Sequence, residues 1–245
     1  MTEHSRIISV VDVASRRRRE VFGVHGRAQL RRRTYFFVKR ALDVIISLLA
    51  LLSLAPLLLL IALLIKLDSP GPVLFTQERV GYDPKTRRRR NFTLYKFRTM
   101  QHRADDEVHR AHVTNLIRNG VTLGAGQQTL KLVHDRRITR VGRWLRASSL
   151  DELPQALNVL KGDMSLIGPR PALPYEVDVY EDWHKRRLEA LPGITGLWQV
   201  KGRCRVSFDE MVRMDIEYIE HQSLRLDLWI LLLTPWAVIS GKGAG

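Results

Sequence analysis

Residues 44–65 form an uncharged apolar run, interrupted only by Ser47, Ser53 and Pro56. About 22 residues at 1.5 Å each reach about 33 Å, enough to cross a bilayer core about 30 Å thick. Length alone therefore reads as a transmembrane helix. Two features favour a segment that enters and returns. Pro56 lies near the midpoint, where it removes a backbone hydrogen bond and bends the helix, although prolines also occur in spanning helices. Basic residues flank both sides, with Arg31, Arg32, Arg33, Lys39 and Arg40 before the run and Lys66, Arg79, Lys85 and Arg87 to Arg90 after it. Positive flanks stay cytoplasmic, so a spanning helix would have to export one of them. A break at Pro56 instead gives two arms of about 10 to 12 residues, each about 15 to 18 Å deep. Re-entry is the preferred reading. Asp43 lies one turn after Lys39 and Arg40, within reach of an i,i+3 or i,i+4 ion pair; it also reads as a first-turn acid on the helix dipole.

The whole chain of 245 residues carries a formal net charge of +15. Such a balance calls for an anionic partner: nucleic acid, anionic membrane lipids or phosphorylated substrates. No zinc-finger spacing or RNA-binding motif accompanies the charge, so nucleic acid is not expected. Cys204 is the only cysteine, which excludes an intrachain disulfide and a cysteine metal cluster. The first 40 residues do not read as a cleavable signal peptide, because the apolar region starts late, runs long and lacks a small-residue cleavage site.

The expected organisation is a basic arm over 1–33, a membrane segment over 34–68 and a cytosolic catalytic domain over 69–245, with a C-terminal apolar helix over 224–240. Asp68-Ser69-Pro70-Gly71-Pro72 stops the membrane helix. Residues 73–76 and 92–97 read as strands around a polar turn at Asp83-Pro84. Helices are predicted over 103–118, 151–160, 176–190 and 209–222, with a flexible loop at Gly124-Ala125-Gly126. The run 224–239 contains Arg225, Asp227 and Pro235 and is too short to span, so it reads as a helix packed on the domain or lying at the interface. The predicted fold class is α+β, mainly helical, with a re-entrant helix-break-helix, a small β-hairpin and amphipathic interfacial helices.

Polar functional groups concentrate in three segments: Lys96-Phe97-Arg98-Thr99-Met100, the stretch from Asp135-Arg136-Arg137 through Arg146 to Ser149-Leu150-Asp151-Glu152-Leu153-Pro154-Gln155, and Gly168-Pro169-Arg170-Pro171. Ser149 and Glu152 have capping-box spacing, so Asp151 and Glu152 read as ordinary first-turn acids. They also read, though not on spacing alone, as groups placed for phosphate chemistry, one attacking and one holding a divalent cation. Arg137, Arg146 and Arg170 carry guanidinium forks that match phosphate oxygens. Two prolines bracket Arg170 and fix its backbone.

These blocks resemble the monotopic phosphoglycosyl transferases, the bacterial sugar transferase family. The similarity runs from about Lys39 to the C-terminus. It includes Lys39-Arg40-Ala41-Leu42-Asp43, Phe75-Thr76-Gln77-Glu78-Arg79-Val80-Gly81, Lys96 to Met100, Ser149 to Gln155, Asn158 to Ser165 and Ile167 to Pro171. Pro192-Gly193-Ile194-Thr195-Gly196-Leu197-Trp198-Gln199-Val200 resembles members that start exopolysaccharide or O-antigen units. Larger members carry a membrane domain upstream, so this chain is expected to represent the catalytic unit alone. In many members a Ser-Pro pair makes the helix break; here the pair is Ala55-Pro56, with Ser53 three residues before the proline.

The resemblance implies transfer of a sugar 1-phosphate from a UDP-sugar to polyprenyl phosphate at the cytoplasmic face of the bacterial inner membrane. Asp151 would attack the sugar-linked phosphorus, releasing UMP, and the lipid phosphate would then displace the carboxylate. Glu152 would bind or orient Mg²⁺. Arg146 and Arg170 would contact phosphate oxygens, with Lys96, Arg98, Asp135 and Arg137 as neighbours in substrate binding. A homodimer is compatible with the sequence. Two alternatives stay open: a membrane phosphotransferase without a covalent intermediate, and a non-catalytic polybasic scaffold on the membrane surface.

Overall fold

The computed structural model describes residues 32–102, 107–119, 135, 137–202 and 206–239. The basic arm before residue 32, the start of the helix expected from 103, the 124–126 loop, Arg136 and Cys204 lie outside the described residues.

The described residues divide between Leu42 and Asp43 into two units. Within the described part of the first, Tyr35 and Phe36 pack edge to face and the Arg32 guanidinium lies over the Phe36 ring.

The apolar run is two helices, α1 (Arg32–Ser53) and α2 (Ala55–Asp68), bent by 63°. Among the described residues no single helix is long and apolar enough to cross a membrane. The break falls at Leu54, two residues before Pro56, which occupies the first turn of α2. There its fixed φ suits helix initiation and its missing N–H costs nothing within α2. The ring still denies a donor to the carbonyl of Leu52, four residues back, so α1 cannot run through. Ser53 Oγ donates to the Ala50 carbonyl at 3.3 Å. A hydroxyl therefore does stand at the break, although Ala55 precedes the proline. Asp43 lies inside α1 rather than in its first turn; buried, it accepts the Leu166 N–H at 3.0 Å.

Strands β1 (Leu74–Asp83) and β2 (Arg88–Phe97) form an antiparallel hairpin with Leu74 opposite Phe97 and Asp83 opposite Arg88. Both are longer than the sequence predicts, because charged residues at the tip pair across the ladder as well as apolar ones. Asp83 ties the turn by accepting from Lys85 N and Thr86 Oγ1, both at 2.9 Å. These bonds hold its carboxyl below the usual range.

After α3 (Glu107–Asn119), helix α4 (Arg140–Ser148) was not predicted, its arginines having masked the apolar stripe. Two first-turn donors of α4 are satisfied: Gly142 N–H by Thr139 Oγ1 and Val141 N–H by Asp68 Oδ2, each at 3.0 Å. Asp68 thus joins the end of α2 to the start of α4. Ile61 and Ile65 bury against Phe97 and Leu145 in the same place, at about 1.5–3 kcal/mol for each side chain removed from water. Gly142 meets the Thr99 backbone so closely that a Cβ would lie 2.0 Å from Thr99 O.

The helix expected over 151–160 divides into a 3-10 turn, Leu150–Glu152, and α5 (Gln155–Lys161). Asn158 is fully buried in α5, its amide spent on β2: Oδ1 accepts the Tyr95 N–H at 3.0 Å and Nδ2 donates to the Thr93 carbonyl at 2.7 Å.

Two three-residue strands, β3 (Ser165–Ile167) and β4 (Gly193–Thr195), pair in parallel, a contact the sequence did not disclose. Gly168 and Gly193 permit it: a Cβ on Gly193 would lie 2.1 Å from Gly168 N.

The predicted amphipathic helix over 176–190 is not formed. In its place stand α6 (Pro174–Val177) and a 3-10 turn, His184–Leu188. His184 Nδ1 takes the Glu181 N–H at 3.1 Å, a local bond that replaces the helical one. Arg187 turns inward to Asp215 at 2.5 Å and to the Tyr180 hydroxyl at 3.2 Å. Burial pushes Asp215 up to about 6 against the pull of Arg187.

Short α7 (Leu197–Lys201) leads to α8 (Phe208–Glu220) and α9 (Leu224–Ile239). Ile230 of α9 packs with Ile167, Leu197 and Tyr218, while Leu228, Leu232 and Trp236 are exposed. The described fold is mostly helical with small two-stranded sheets.

Candidate active site

Asp151 and Glu152 sit on one 3-10 turn, entered through Ser149 in the left-handed region at φ 58°. That reversal sets the turn off from α4 and faces its two carboxylates with different cations. Ser149 makes no side-chain cap bond there, so the capping-box reading does not hold.

Asp151 is buried at 9% exposure and belongs with Arg146, Asp135 and Arg137. Arg146 Nε donates to Thr99 Oγ1 at 3.1 Å. Burial holds the Arg146 pKa below its ordinary value, while the Asp151 and Asp135 charges pull it up and Arg137 pushes it down. Arg137 forks onto Asp135, with Nη2 to Oδ2 at 2.6 Å and Nε to Oδ1 at 2.9 Å. That fork keeps the Asp135 carboxyl below its usual range. The group is brought together by a short backbone pairing, in which Thr139 N–H donates to Thr99 O and Gln101 N–H to Arg137 O.

Glu152 faces the other way. Its Oε1 accepts from Lys96 Nζ at 2.7 Å, with both side chains partly exposed. Lys96 follows Tyr95 on β2, so the amide of Asn158 indirectly fixes its position. On this side also lie Arg79, Arg170 and Glu176. Arg79 Nη1 donates to the Pro171 carbonyl at 2.9 Å and Nη2 to Gln77 Oε1 at 2.6 Å. Burial brings its pKa down to about 10, with a contribution from the Arg170 charge, against the pull of Glu176, Tyr175 and Glu152. Arg170 Nη1 lies 3.7 Å from Glu176 Oε1. The Gly168–Pro171 loop is held from two directions: Val80 N–H donates to Ala172 O, and Gly193 N–H donates to Pro169 O at 2.8 Å.

Six of the predicted residues, Lys96, Asp135, Arg137, Arg146, Asp151 and Glu152, therefore gather at the 3-10 turn, while Arg170 is placed beside Glu176. Arg98 is employed differently. Its guanidinium donates to Ser69 Oγ, Ser69 O, Pro70 O and Pro72 O at 2.6–3.0 Å, clamping the elbow after α2. Arg79 and Glu176 were missed as members of the site. Arg79 is one of three consecutive buried residues of β1, Arg79 to Gly81, a place where an apolar side chain is the norm.

Among the described residues no three His, Cys, Asp or Glu side chains cluster as a self-sufficient metal site. The partly exposed Glu152 carboxylate would fit the Mg²⁺ pattern of a single carboxylate completed by water and substrate phosphates.

A family model described as bacterial sugar transferase matches residues 34–241. The chain is 42% identical over 212 residues to the galactosyl transferase CpsE of Streptococcus agalactiae serotype III, covering 86% of this chain and 44% of that protein. It is 38% identical over 206 residues to the exopolysaccharide production protein ExoY of Sinorhizobium fredii, covering 84% and 87%. Over 214 residues it is 44% identical to the UDP-glucose:undecaprenyl-phosphate glucose-1-phosphate transferase of Caulobacter vibrioides, covering 84% and 71%. The chain thus spans less than half the length of the first of these and most of the other two.

Proposed function

We propose, because this chain belongs to the bacterial sugar transferase family, that it transfers a sugar 1-phosphate from a UDP-sugar to undecaprenyl phosphate and releases UMP. The names of its relatives, a glucose-1-phosphate transferase acting on undecaprenyl phosphate and an exopolysaccharide production protein, support that reaction and its setting in glycan assembly.

The observation that carries the residue assignment is the splayed acid pair. Asp151, buried beside Arg146, is the nucleophile: a carboxylate oxygen bonds the sugar-linked phosphorus while the bond to the bridging oxygen breaks and UMP leaves. Arg146 and Arg170 neutralise the phosphoryl oxygens as charge develops. An oxygen of the lipid phosphate then bonds the same phosphorus, and the Asp151 carboxylate is released. Splitting the reaction lets two anionic substrates use one site in turn. Glu152 and the substrate phosphates would hold Mg²⁺, which supplies charge neutralisation on the diphosphate. Lys96 keeps Glu152 oriented in the free protein, and Arg137 keeps Asp135 in place behind Arg146.

The membrane reading rests on the 63° bend between α1 and α2. Leu59, Leu60, Leu63 and Leu67 are exposed on α2. Helix α9 exposes Trp229 and Trp236, residues that favour the bilayer interface. A re-entrant pair would set the acid turn at headgroup depth, where a lipid phosphate lies, on the cytoplasmic side.

Asp151→Asn should abolish UMP release from UDP-sugar even without lipid acceptor; normal release by that variant would remove Asp151 as nucleophile. Single cysteines at Thr34 and Thr76, in a Cys204→Ser background, should label only from the cytoplasmic side. Periplasmic labelling of either would mean a spanning helix.

A further inference from the structure

Arg98 is 4% exposed and spends its guanidinium on one place, the elbow after α2. Nε donates to Pro72 O at 2.6 Å, Nη1 to Ser69 Oγ at 2.7 Å and Pro70 O at 3.0 Å, and Nη2 to Ser69 O at 2.8 Å. Its backbone N–H donates to Val73 O at 2.9 Å. The elbow is shaped to receive it. Gly71 takes φ 122°, which side chains rarely adopt, and a Cβ there would stand 3.0 Å from His102 Cβ and 3.5 Å from Arg98 Cζ. Among the described residues these partners are all neutral, and none belongs to the acid turn.

The neighbours of Arg98 along the chain face that turn. Lys96 Nζ donates to Glu152 Oε1 at 2.7 Å, and Thr99 Oγ1 accepts from Arg146 Nε at 3.1 Å. Four consecutive residues therefore hold Glu152, the elbow and Arg146 together. Beyond the elbow lies α2, which exposes Leu59, Leu60, Leu63 and Leu67 and buries Ile61 and Ile65 against Phe97 and Leu145. Those apolar contacts are non-directional and leave the tilt of α2 open. Directional ties come from Arg98 and from Asp68, whose Oδ2 accepts the Val141 N–H at 3.0 Å.

On the reading that α2 lies in the membrane and Asp151 works on phosphates, we propose that Arg98 is a positioning residue for the lipid half of the reaction. It fixes the angle between α2 and the acid turn, and so the depth at which a phosphate confined to the membrane meets Asp151. A UDP-sugar arrives from water and reaches the turn at any tilt. A lipid phosphate has no such freedom, and misplacement by about 1 Å can cost about 100-fold in rate. Loosening the clamp therefore spares the first half-reaction and slows the second. Pro70 and Pro72 are exposed, so water replaces the guanidinium on their carbonyls and the variant keeps its fold.

The test uses the full chain in nanodiscs with Mg²⁺, UDP-glucose and UDP-galactose, with and without undecaprenyl phosphate. For Arg98→Met, UMP release without lipid acceptor should stay within about threefold of wild type, while sugar transfer to undecaprenyl phosphate falls about 10- to 100-fold. An equal fall in both half-reactions, or in neither, overturns the proposal, because a merely structural loss damages both alike. Should Arg98→Met fail to fold, Asp68→Ala, which cuts the other tie of the elbow, must show the same split. Should wild type release UMP only with lipid present, steady-state constants decide. The KM for undecaprenyl phosphate should then rise and that for the UDP-sugar stay; a rise in both overturns the proposal. Wild-type protein that releases no UMP from either sugar nucleotide, with or without lipid, would remove the functional reading itself. Active wild type without the split removes this inference alone.

Discussion

Replacing Asn158 by Leu removes one side chain and orphans two backbone groups at once. The amide is fully buried and makes bonds of 3.0 Å from Tyr95 N–H and 2.7 Å to Thr93 O. Leucine fills nearly the same volume, so packing changes little, but neither β2 group finds a new partner in a site closed to water. An unsatisfied buried donor or acceptor costs about 1–3 kcal/mol, which places the total at about 2–6 kcal/mol. In a chain of this size 1 kcal/mol moves the unfolding temperature by about 2–4 °C, so a fall of about 5–20 °C is expected. Tryptophan fluorescence on heating, in the detergent used for activity, measures it. The effect should also reach the chemistry, because Lys96 follows Tyr95 on the strand and pairs with Glu152. Asn158→Asp keeps the acceptor for Tyr95 but loses the donor to Thr93, so it too should destabilise. An Asn158→Leu variant melting within about 2 °C of wild type would refute the claim that this amide anchors α5 to β2.

Gly142→Ala should lower stability by more than the few tenths of a kcal/mol of an ordinary helix substitution, because its Cβ would strike Thr99 O and force α4 off the backbone that carries Arg146's partner. Loss of soluble protein or a fall in unfolding temperature would be seen; an alanine that stabilises would contradict the close approach. The Asp135–Arg137 fork gives a pH signature. With its native pKa depressed below 3.8 by Arg137, Asp135 contributes stability that is full above about pH 3.8 and lost as the pH falls through the native value. The stability advantage of wild type over Asp135→Asn should therefore be constant above pH 5 and shrink toward pH 3; a constant difference throughout would contradict the fork.

Much of the candidate site was legible because the proposed phosphate chemistry restricts residue choice. Acids beside an arginine-rich stretch, and an arginine between two prolines, are conspicuous at any distance along the chain. What could not be read was the direction each side chain faces. Arg98 has the same local signature as Lys96, yet its four donors close the elbow of Ser69, Pro70 and Pro72. Arg79 and Glu176 lie 97 positions apart and look like ordinary charges on a strand and a helix. Only the buried backbone around residues 171–173 brings them to one segment, Pro171 O accepting from Arg79 and Leu173 N–H donating to Glu176. The 176–190 segment carried a helical pattern, but Asp215 and Glu181 offered Arg187 and His184 stronger local and long-range bonds than a helix could.

The chain by itself determined that an uncharged run must leave water, that Pro56 removes a backbone hydrogen bond from any helix running through it, and that the charge favours anionic partners. These are properties of composition and of covalent geometry, so they need no neighbours. The tertiary structure decided where the break falls, at Leu54 with a 63° bend. It also decided that Asp151 and Glu152 divide between two sets of cations, and that Asp68 and Arg98 tie the elbow after α2 to α4 and to the end of β2. Each of those outcomes depends on a polar group finding the one distant partner that spares it an unpaired burial, and that search is settled only by the folded packing.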